Sequence, residues 1–594
     1  MSDVAGAGRA RGAIAFRIVF ALLIVGWLAA AWWARQTCLP YDVNNTDVGT
    51  YLFQAETFAS GKLWRETPMP REFFSQWQAI VRDRSFAYYP PLPAFALAVP
   101  LALGGPPFVV PWVASGVSLV LAFAWIQRLA GRRAAGFGAA ALAISPFFVA
   151  NGLSLLSHAF TLALTLAFLL AIERAGSRGA RGGSAAAGMF LAAIFASRPV
   201  NAAALAIAWI PWALGAMRAR TPSPKSTAAA AREARFPWFC AGFAAGFAPL
   251  VFYYRALAGR WTLSLFTDYW PRNRFGFGRE LGRGEPGHYF QTYADHDFSG
   301  FLANLKTYAV GLAEWWTGNA WLSALLIGLS GLLLIQRFRR RRARTPWPSP
   351  AKEPPITDER RAVGEEEGYG RGRILWPLMV WIAAHIGLYA LYFTTSTPPT
   401  GPRYLAELMP ALALLTGWTF AVLSRTRWAR GAALALFAGI LAAQAAETWR
   451  FLAANRQGIF ARRTVERRVR EGVEAPALVF LRSFWIGHPI PIFRNAPDLS
   501  DPVVFACDRG AEDRRLVEQF PDRNAYLLAL FPEGRGVRAE LVPLYRARER
   551  RWLCAPESVE APFFVGSRFT PPLRLEGETA RMLFHPRPSE IVGQ

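Results

Sequence analysis

Apolar residues in this chain gather in long blocks separated by short polar loops, with neither the alternation of strands nor the one-sided stripe of a surface helix. A run of about 20 apolar residues crosses a hydrocarbon core of roughly 30 Å as a helix. The pattern therefore predicts an all-α polytopic membrane protein. Blocks at 14–34, 108–130, 135–150, 152–172, 185–199, 200–217, 237–255, 318–336, 374–394, 403–424 and 431–450 amount to about eleven transmembrane helices. The first block is longer than a signal-peptide core and lacks a small-residue cleavage site, so it is expected to stay as a helix.

Arginine sets the direction of threading. Arg132 and Arg133, then Arg174, Arg178 and Arg181, then Arg218, Arg220 and Lys225, then Arg337 to Arg344, and last Arg425, Arg427 and Arg430 all fall in short loops between blocks. Such loops are cytoplasmic by the positive-inside rule. Two longer polar segments, 35–90 and 256–317, then lie outside. Residues 91–104 are apolar but short and interrupted by Pro91, Pro93 and Pro100. Counting them as a full span would invert every later loop, so a re-entrant or interfacial piece is expected. The Pro-, Glu- and Arg-rich stretch 337–373 reads as a disordered cytoplasmic linker.

The path divides the chain into a transmembrane domain, 1–450, and an extracytoplasmic C-terminal domain, 451–594. In the latter, strand-like runs at Ala477–Leu481, Val503–Cys507 and Ala525–Phe531, with a helical pattern around Glu512–Phe520, predict a small α/β domain. Cys507 and Cys554 both fall there, where an oxidising compartment permits a bridge if their backbones approach.

Composition supports the membrane class, with 53% hydrophobic residues, 23 Trp and 44 Phe. The net charge of +25 resides mostly in the cytoplasmic loops and not in a basic stripe interleaved with stacking aromatics, so nucleic acid is not a partner. Membrane lipids are partners by construction, anionic ones at the Arg clusters. Six His without HxxxH or Cys-His spacing argue against a zinc site. No Gly-rich phosphate loop points to a cytoplasmic nucleotide-sugar donor.

Several unusual polar residues are threaded to one membrane face although far apart in sequence. They are Asp47 in the first outer segment, His158 in SLLSHAF, Arg198 and Asn201 in SRPVN, and Arg403 with Tyr404 in GPRYLAELMP. Ionisable groups near the membrane are costly and are by default functional candidates. A carboxylate can take a proton from an attacking hydroxyl, while Arg and His can neutralise a departing phosphate. Each residue also has a plainer role. Asp47 suits a turn in NNTDVG, Arg403 an interfacial anchor, and His158 a hydrogen bond between helices. Asp268, Tyr269, His288 and His296 belong either to a loop that closes over substrate or to a solvated one. Trp32, Trp33, Trp315 and Trp316 suit an aromatic belt, the last two also a sugar-stacking surface beside Glu314.

The run TDVGTYLFQAETFASGKLW followed by FAYYPPLPAFALAVP resembles the first outer loop of the GT-C glycosyltransferases, the superfamily of protein O-mannosyltransferases and aminoarabinose transferases. AISPFFVANGLSLLSHAFTLAL, FASRPVNAAALAIAWIPWAL, YRALAGRWTLSLFTDYW with RFGFGRELG, and GPRYLAELMPALALL agree in order, covering about residues 14–450. The resemblance implies a polyprenyl-phosphate-linked sugar as donor, direct attack by an acceptor hydroxyl and inversion at the anomeric carbon. Asp47, four residues before Tyr51, matches the family's general base. The paired Glu of the motif is replaced by Val48, which bears on any divalent metal there. An acid of the second outer loop falls in the region of Asn151 to His158, where His158 either substitutes or caps a helix. The implied substrate-binding set is Arg403, Arg198, His158, Tyr404, Asn201 and Asp268. Sugar and acceptor, whether glycolipid, glycan or protein, stay open. A transporter or lipid flippase is the rival class. It would show internal repeats and midplane polar sites, and no convincing repeat is present.

Overall fold

The structure is a computed structural model. It describes residues 2–40, 46–74, 78–178, 181–218, 235–281, 294–343, 375–395, 401–483, 495–496, 498–533 and 536–559. Most of the expected linker at 337–373, together with His288, lies outside these residues.

The protein is a multi-pass membrane protein. Among the described residues, six helices are long and apolar enough to cross a membrane: Ile18–Cys38, Val109–Ala130, His158–Ala175, Phe236–Ala258, Arg403–Leu423 and Arg427–Arg456. Counting each of two bent pairs as one span brings the number to as many as eight, and four shorter apolar helices are present beside them. One pair, Arg132–Ile144 and Pro146–Gly152, bends by 61°. Proline is tolerated in the first turn of a helix but removes a donor from its interior, so Pro146 starts a new helix where hydropathy reads one continuous span.

Hydropathy finds only the second half of the other bent pair, as the block 318–336. Phe298–Thr317, inside the expected outer segment 256–317, is a 20-residue helix. Asp297 caps it by accepting a hydrogen bond from the Gly300 amide at 2.8 Å. It turns by 94° into Ala320–Gln336. The expected interfacial piece is the helix Pro91–Ala102, 12 residues long.

Small residues set how closely the central helices pack. A Cβ on Gly417 would lie 2.1 Å from the Ala134 carbonyl oxygen, and one on Gly138 2.5 Å from that of Ala413. Van der Waals packing, not the hydrophobic effect, holds helices together in lipid, and glycine lets backbones touch. This contact seats the Arg403–Leu423 segment against Arg132–Ile144.

The helix holding the last apolar span continues well past it. It runs from Arg427 to Gly472 and leads into a five-stranded sheet. Ala477–Ser483 lies between Val503–Cys507, which forms one edge, and Asn524–Glu533, the middle strand, and is parallel to both. Gly536–Arg546 adds antiparallel to the latter, and Arg551–Trp552 closes the other edge. The helix Asp513–Gln519 lies between the second and third of these strands in sequence. The bridge between Cys507 and Cys554 is not formed. Alternation along the strands explains why. Cys507 packs with Val479, Leu481 and Leu528 in one apolar layer, whereas Cys554 joins Leu478, Phe480 and Val504 in the other.

Candidate active site

The chain's unusual polar residues converge where helices end. Asp47 sits in the first turn of Thr46–Ala59, where the helix dipole favours a carboxylate. His158 opens its span, Arg198 immediately precedes the helix starting at Pro199, and Tyr389 is at the end of Leu375–Ala390. Arg403 is aimed by GPRY. Gly401 adopts φ +75, and a Cβ there would lie 2.5 Å from the Trp315 ring, so glycine is demanded twice over. The 3₁₀ turn Arg403–Leu408 then leads into Met409–Leu423, with Pro410 in its first turn.

The sequence-named residues form two adjoining groups. In the first, Arg403 Nη2 lies 2.8 Å from Asp47 Oδ2. The other carboxylate oxygen accepts hydrogen bonds from Gln78 Nε2 at 2.7 Å and from the Tyr89 hydroxyl at 2.9 Å. In the second, Arg198 Nε and His158 Nδ1 each stand 3.6 Å from Glu407 Oε1, and Arg198 Nη1 is 3.4 Å from His158 Nε2. Arg198 also donates to the Tyr389 hydroxyl at 3.1 Å, which donates in turn to Asn201 Oδ1.

Aromatic rings join the groups. Tyr51 stacks on Tyr89 at 4.9 Å, and its hydroxyl donates to Ser157 Oγ at 3.3 Å. Arg198 Nη1 donates to that oxygen at 3.2 Å. The Tyr404 ring lies 5.5 Å from the Arg198 guanidinium carbon and 5.9 Å from that of Arg403, within cation–π range of both. Tyr88, Phe266, Tyr269 and Trp270 continue the aromatic wall. Asp47, Arg403 and Arg198 are mostly buried, and Glu407 is wholly so.

Asp47, Arg403, Tyr404, Arg198, His158 and Asn201 thus meet, whereas Asp268 pairs with Arg260. Glu407, Gln78, Tyr89 and Tyr389 enter unannounced. Glu407 carried a signal, being the one acid in the apolar run RYLAELMPALALL. The arrangement sets two carboxylates against two guanidiniums in near balance. It does not suit a divalent metal. Val48 is buried and apolar where the motif's second carboxylate would stand, and Asp47 is already met by an arginine, an amide NH2 and a phenol. Among the described residues, no three His, Cys, Asp or Glu side chains are grouped to hold a cation.

Comparison with known proteins places the fold. Residues 477–549 match a family described as a domain of unknown function (DUF7846). No curated protein sequence matches. ArnT from Cupriavidus metallidurans bound to undecaprenyl phosphate superposes with a TM-score of 0.51 at 12% identity, over 87% of this chain and 97% of that one. Its apo state gives 0.52 at 13% identity over 89% and 98%. Archaeal oligosaccharyltransferase AglB from Archaeoglobus fulgidus, in complex with an inhibitory peptide and a dolichol-phosphate, gives 0.40 at 12% identity over 85% and 69%. The expected resemblance stands at the level of architecture: the chain shares the overall fold of ArnT.

Proposed function

We propose that this protein transfers a sugar from a polyprenyl-phosphate-linked donor to an acceptor hydroxyl on the extracytoplasmic face of the cell's inner (plasma) membrane. The single observation carrying this is the Asp47–Arg403 pair, drawn from the first outer segment and the mouth of a late span to a contact of 2.8 Å. It sits in a fold shared with a protein solved bound to undecaprenyl phosphate. The Arg-rich loops on the opposite side of the threading support the outer face.

In this mechanism Arg403 leaves Asp47 for the donor phosphate, assisted by Arg198 and His158, with Asn201 and Tyr404 beside them. Freed of its arginine, Asp47 accepts the acceptor's hydroxyl proton as the oxygen bonds to the anomeric carbon from the side opposite the phosphate. The bond from that carbon to the phosphate oxygen breaks. Its electron pair leaves with the polyprenyl phosphate, whose charge the guanidiniums neutralise. The sugar is inverted, and the proton ends on Asp47. Glu407 keeps Arg198 from standing alone as a buried charge.

The test is transfer of radiolabelled sugar from polyprenyl-phosphate donors in proteoliposomes, for wild type, Asp47→Asn and Arg403→Ala. Transfer by wild type with loss in both variants is expected. Full activity in Asp47→Asn removes the base assignment. Movement of labelled lipid between leaflets without any transfer makes the protein a flippase.

A further inference from the structure

The C-terminal sheet is plugged by the first outer segment. Phe73 and Phe74, which end the 3₁₀ turn Arg71–Phe74, are 0% and 4% exposed and belong to the same apolar layer as Leu478, Phe480, Val504 and Leu516. The Phe73 ring meets Phe480 edge-on with centroids 6.2 Å apart. At the rim, Arg515 Nη1 stands 3.3 Å from Glu72 Oε1. Two phenylalanines of the membrane domain are thereby part of the core of the unassigned domain.

Gln78 follows Phe74 by four positions, so a chain reach of at most about 14 Å ties them. Gln78 is buried and has φ +62, a region that non-glycine residues enter only where surroundings over-determine it. Its surroundings do so. The backbone N–H donates to the Tyr269 hydroxyl at 3.0 Å, and the carbonyl accepts from the Tyr88 amide at 3.4 Å. The side-chain oxygen accepts from Thr50 Oγ1 at 3.4 Å, and the NH2 donates to Asp47 Oδ1 at 2.7 Å. Gln78 leads directly into Ala79–Val81, which pairs antiparallel with Arg84–Ala87. That strand leads to Tyr89, the other neutral donor to Asp47 Oδ1. Both donors therefore come from one small hairpin, and the chain entering it is anchored in the C-terminal domain.

We infer that the C-terminal domain is a positioning module: through the Phe73–Phe74 plug it holds Gln78, and by way of Gln78 orients the Asp47 carboxylate. Gln78 is a positioning residue in this scheme. The scheme rests on Asp47 being the base proposed above.

The experiment uses the full chain in nanodiscs and proteoliposomes, comparing Phe73→Ala/Phe74→Ala, Gln78→Ala and the combined triple variant. A misplacement of about 1 Å costs about a hundredfold in rate. A fall in kcat of that order is expected in the plug variant, with donor KM unchanged. The triple variant should be no slower than Gln78→Ala, since one path is cut twice. Phe73→Leu/Phe74→Leu should recover most of the rate by refilling the core. Wild-type kcat in the plug variant, or losses that multiply in the triple, overturn the inference.

If the plug variant does not fold, Glu72→Arg sets like charges at the rim without touching the core. A slowed Glu72→Arg restored by the swap Glu72→Arg/Arg515→Glu upholds the seam, and an unaffected Glu72→Arg counts against it. Hydrogen exchange supplies a readout free of turnover. Faster exchange over Ala79–Ala87 and Thr46–Ala59 in the plug or Glu72→Arg variant, with the spans unchanged, supports the tether, and unaltered exchange overturns it. Lack of transfer by wild type fails the proposed function instead.

Discussion

Replacing Asp47 by Asn separates the two tasks that meet at this side chain. The carboxylate pairs with Arg403 at 2.8 Å, and both side chains are mostly buried, at 15% and 10% exposure. At an effective dielectric of 20, opposite unit charges about 4 Å apart attract by about 4 kcal/mol, before the cost of taking them from water. A donor phosphate must compete for that guanidinium. Once seated on Arg403 it stands roughly 6 Å from the carboxylate and is repelled by about 3 kcal/mol at the same dielectric. If screening and side-chain adjustment remove half, about 1.4 kcal/mol remains, a tenfold effect. Asn keeps the shape and still accepts from Gln78 and Tyr89, but carries no charge and takes no proton. Asp47→Asn is thus expected to bind polyprenyl phosphate about tenfold more tightly. It should lose transfer by about 10²- to 10⁴-fold, the worth of a general base. Lipid-phosphate titration of nanodisc protein by native mass spectrometry measures the first, and initial transfer rates the second. Weaker lipid-phosphate binding in Asp47→Asn would refute the competition argument, whatever happens to the rate.

Three further predictions follow from the packing. Glu407→Gln strips Arg198 of its buried counter-charge and should destabilise the fold by about 3 kcal/mol or more, seen as a lower melting temperature in detergent and partly restored by Arg198→Gln. Gly417→Ala drives a methyl into the Ala134 carbonyl and should cost about 1–3 kcal/mol by the same measurement, while Gly439→Ala, with open space around it, should cost nothing. In the C-terminal domain, Asp513 is buried beside the Asp508 carboxylate, which Arg482 holds at 2.6 Å. Desolvation and that neighbour push the Asp513 carboxyl well above the carboxylate range. A raised folded-state value means that stability is fully present below the unfolded value of about 4 and drains away as pH rises toward the folded one. The gain in melting temperature of Asp513→Asn over wild type should therefore grow from pH 5 to pH 9; a constant difference would remove the argument.

Spans and turns are legible in this sequence because they depend on local averages. A window of hydropathy finds Val109–Ala130 or Phe236–Ala258 without knowledge of their neighbours. The strands at Ala477, Val503 and Asn524 show as apolar runs. The same averaging reads through Pro146 and misses Phe298–Thr317, whose Lys306 and Glu314 depress the mean although tertiary contacts support the helix. It also cannot say which side of a sheet a cysteine takes, so Cys507 and Cys554 looked capable of meeting.

What the sequence determined alone is a helical membrane protein with Asp47, Arg198, His158, Asn201, Arg403 and Tyr404 near the ends of apolar segments, where a charge is tolerable. Only the tertiary structure decided their company. Asp47 faces Arg403, Gln78 and Tyr89, Arg198 faces Glu407, and Asp268 turns to Arg260. The physical reason is that burying a charge is favourable only when an opposite charge or a donor closes around it. Those partners come from distant helices whose packing no local pattern records.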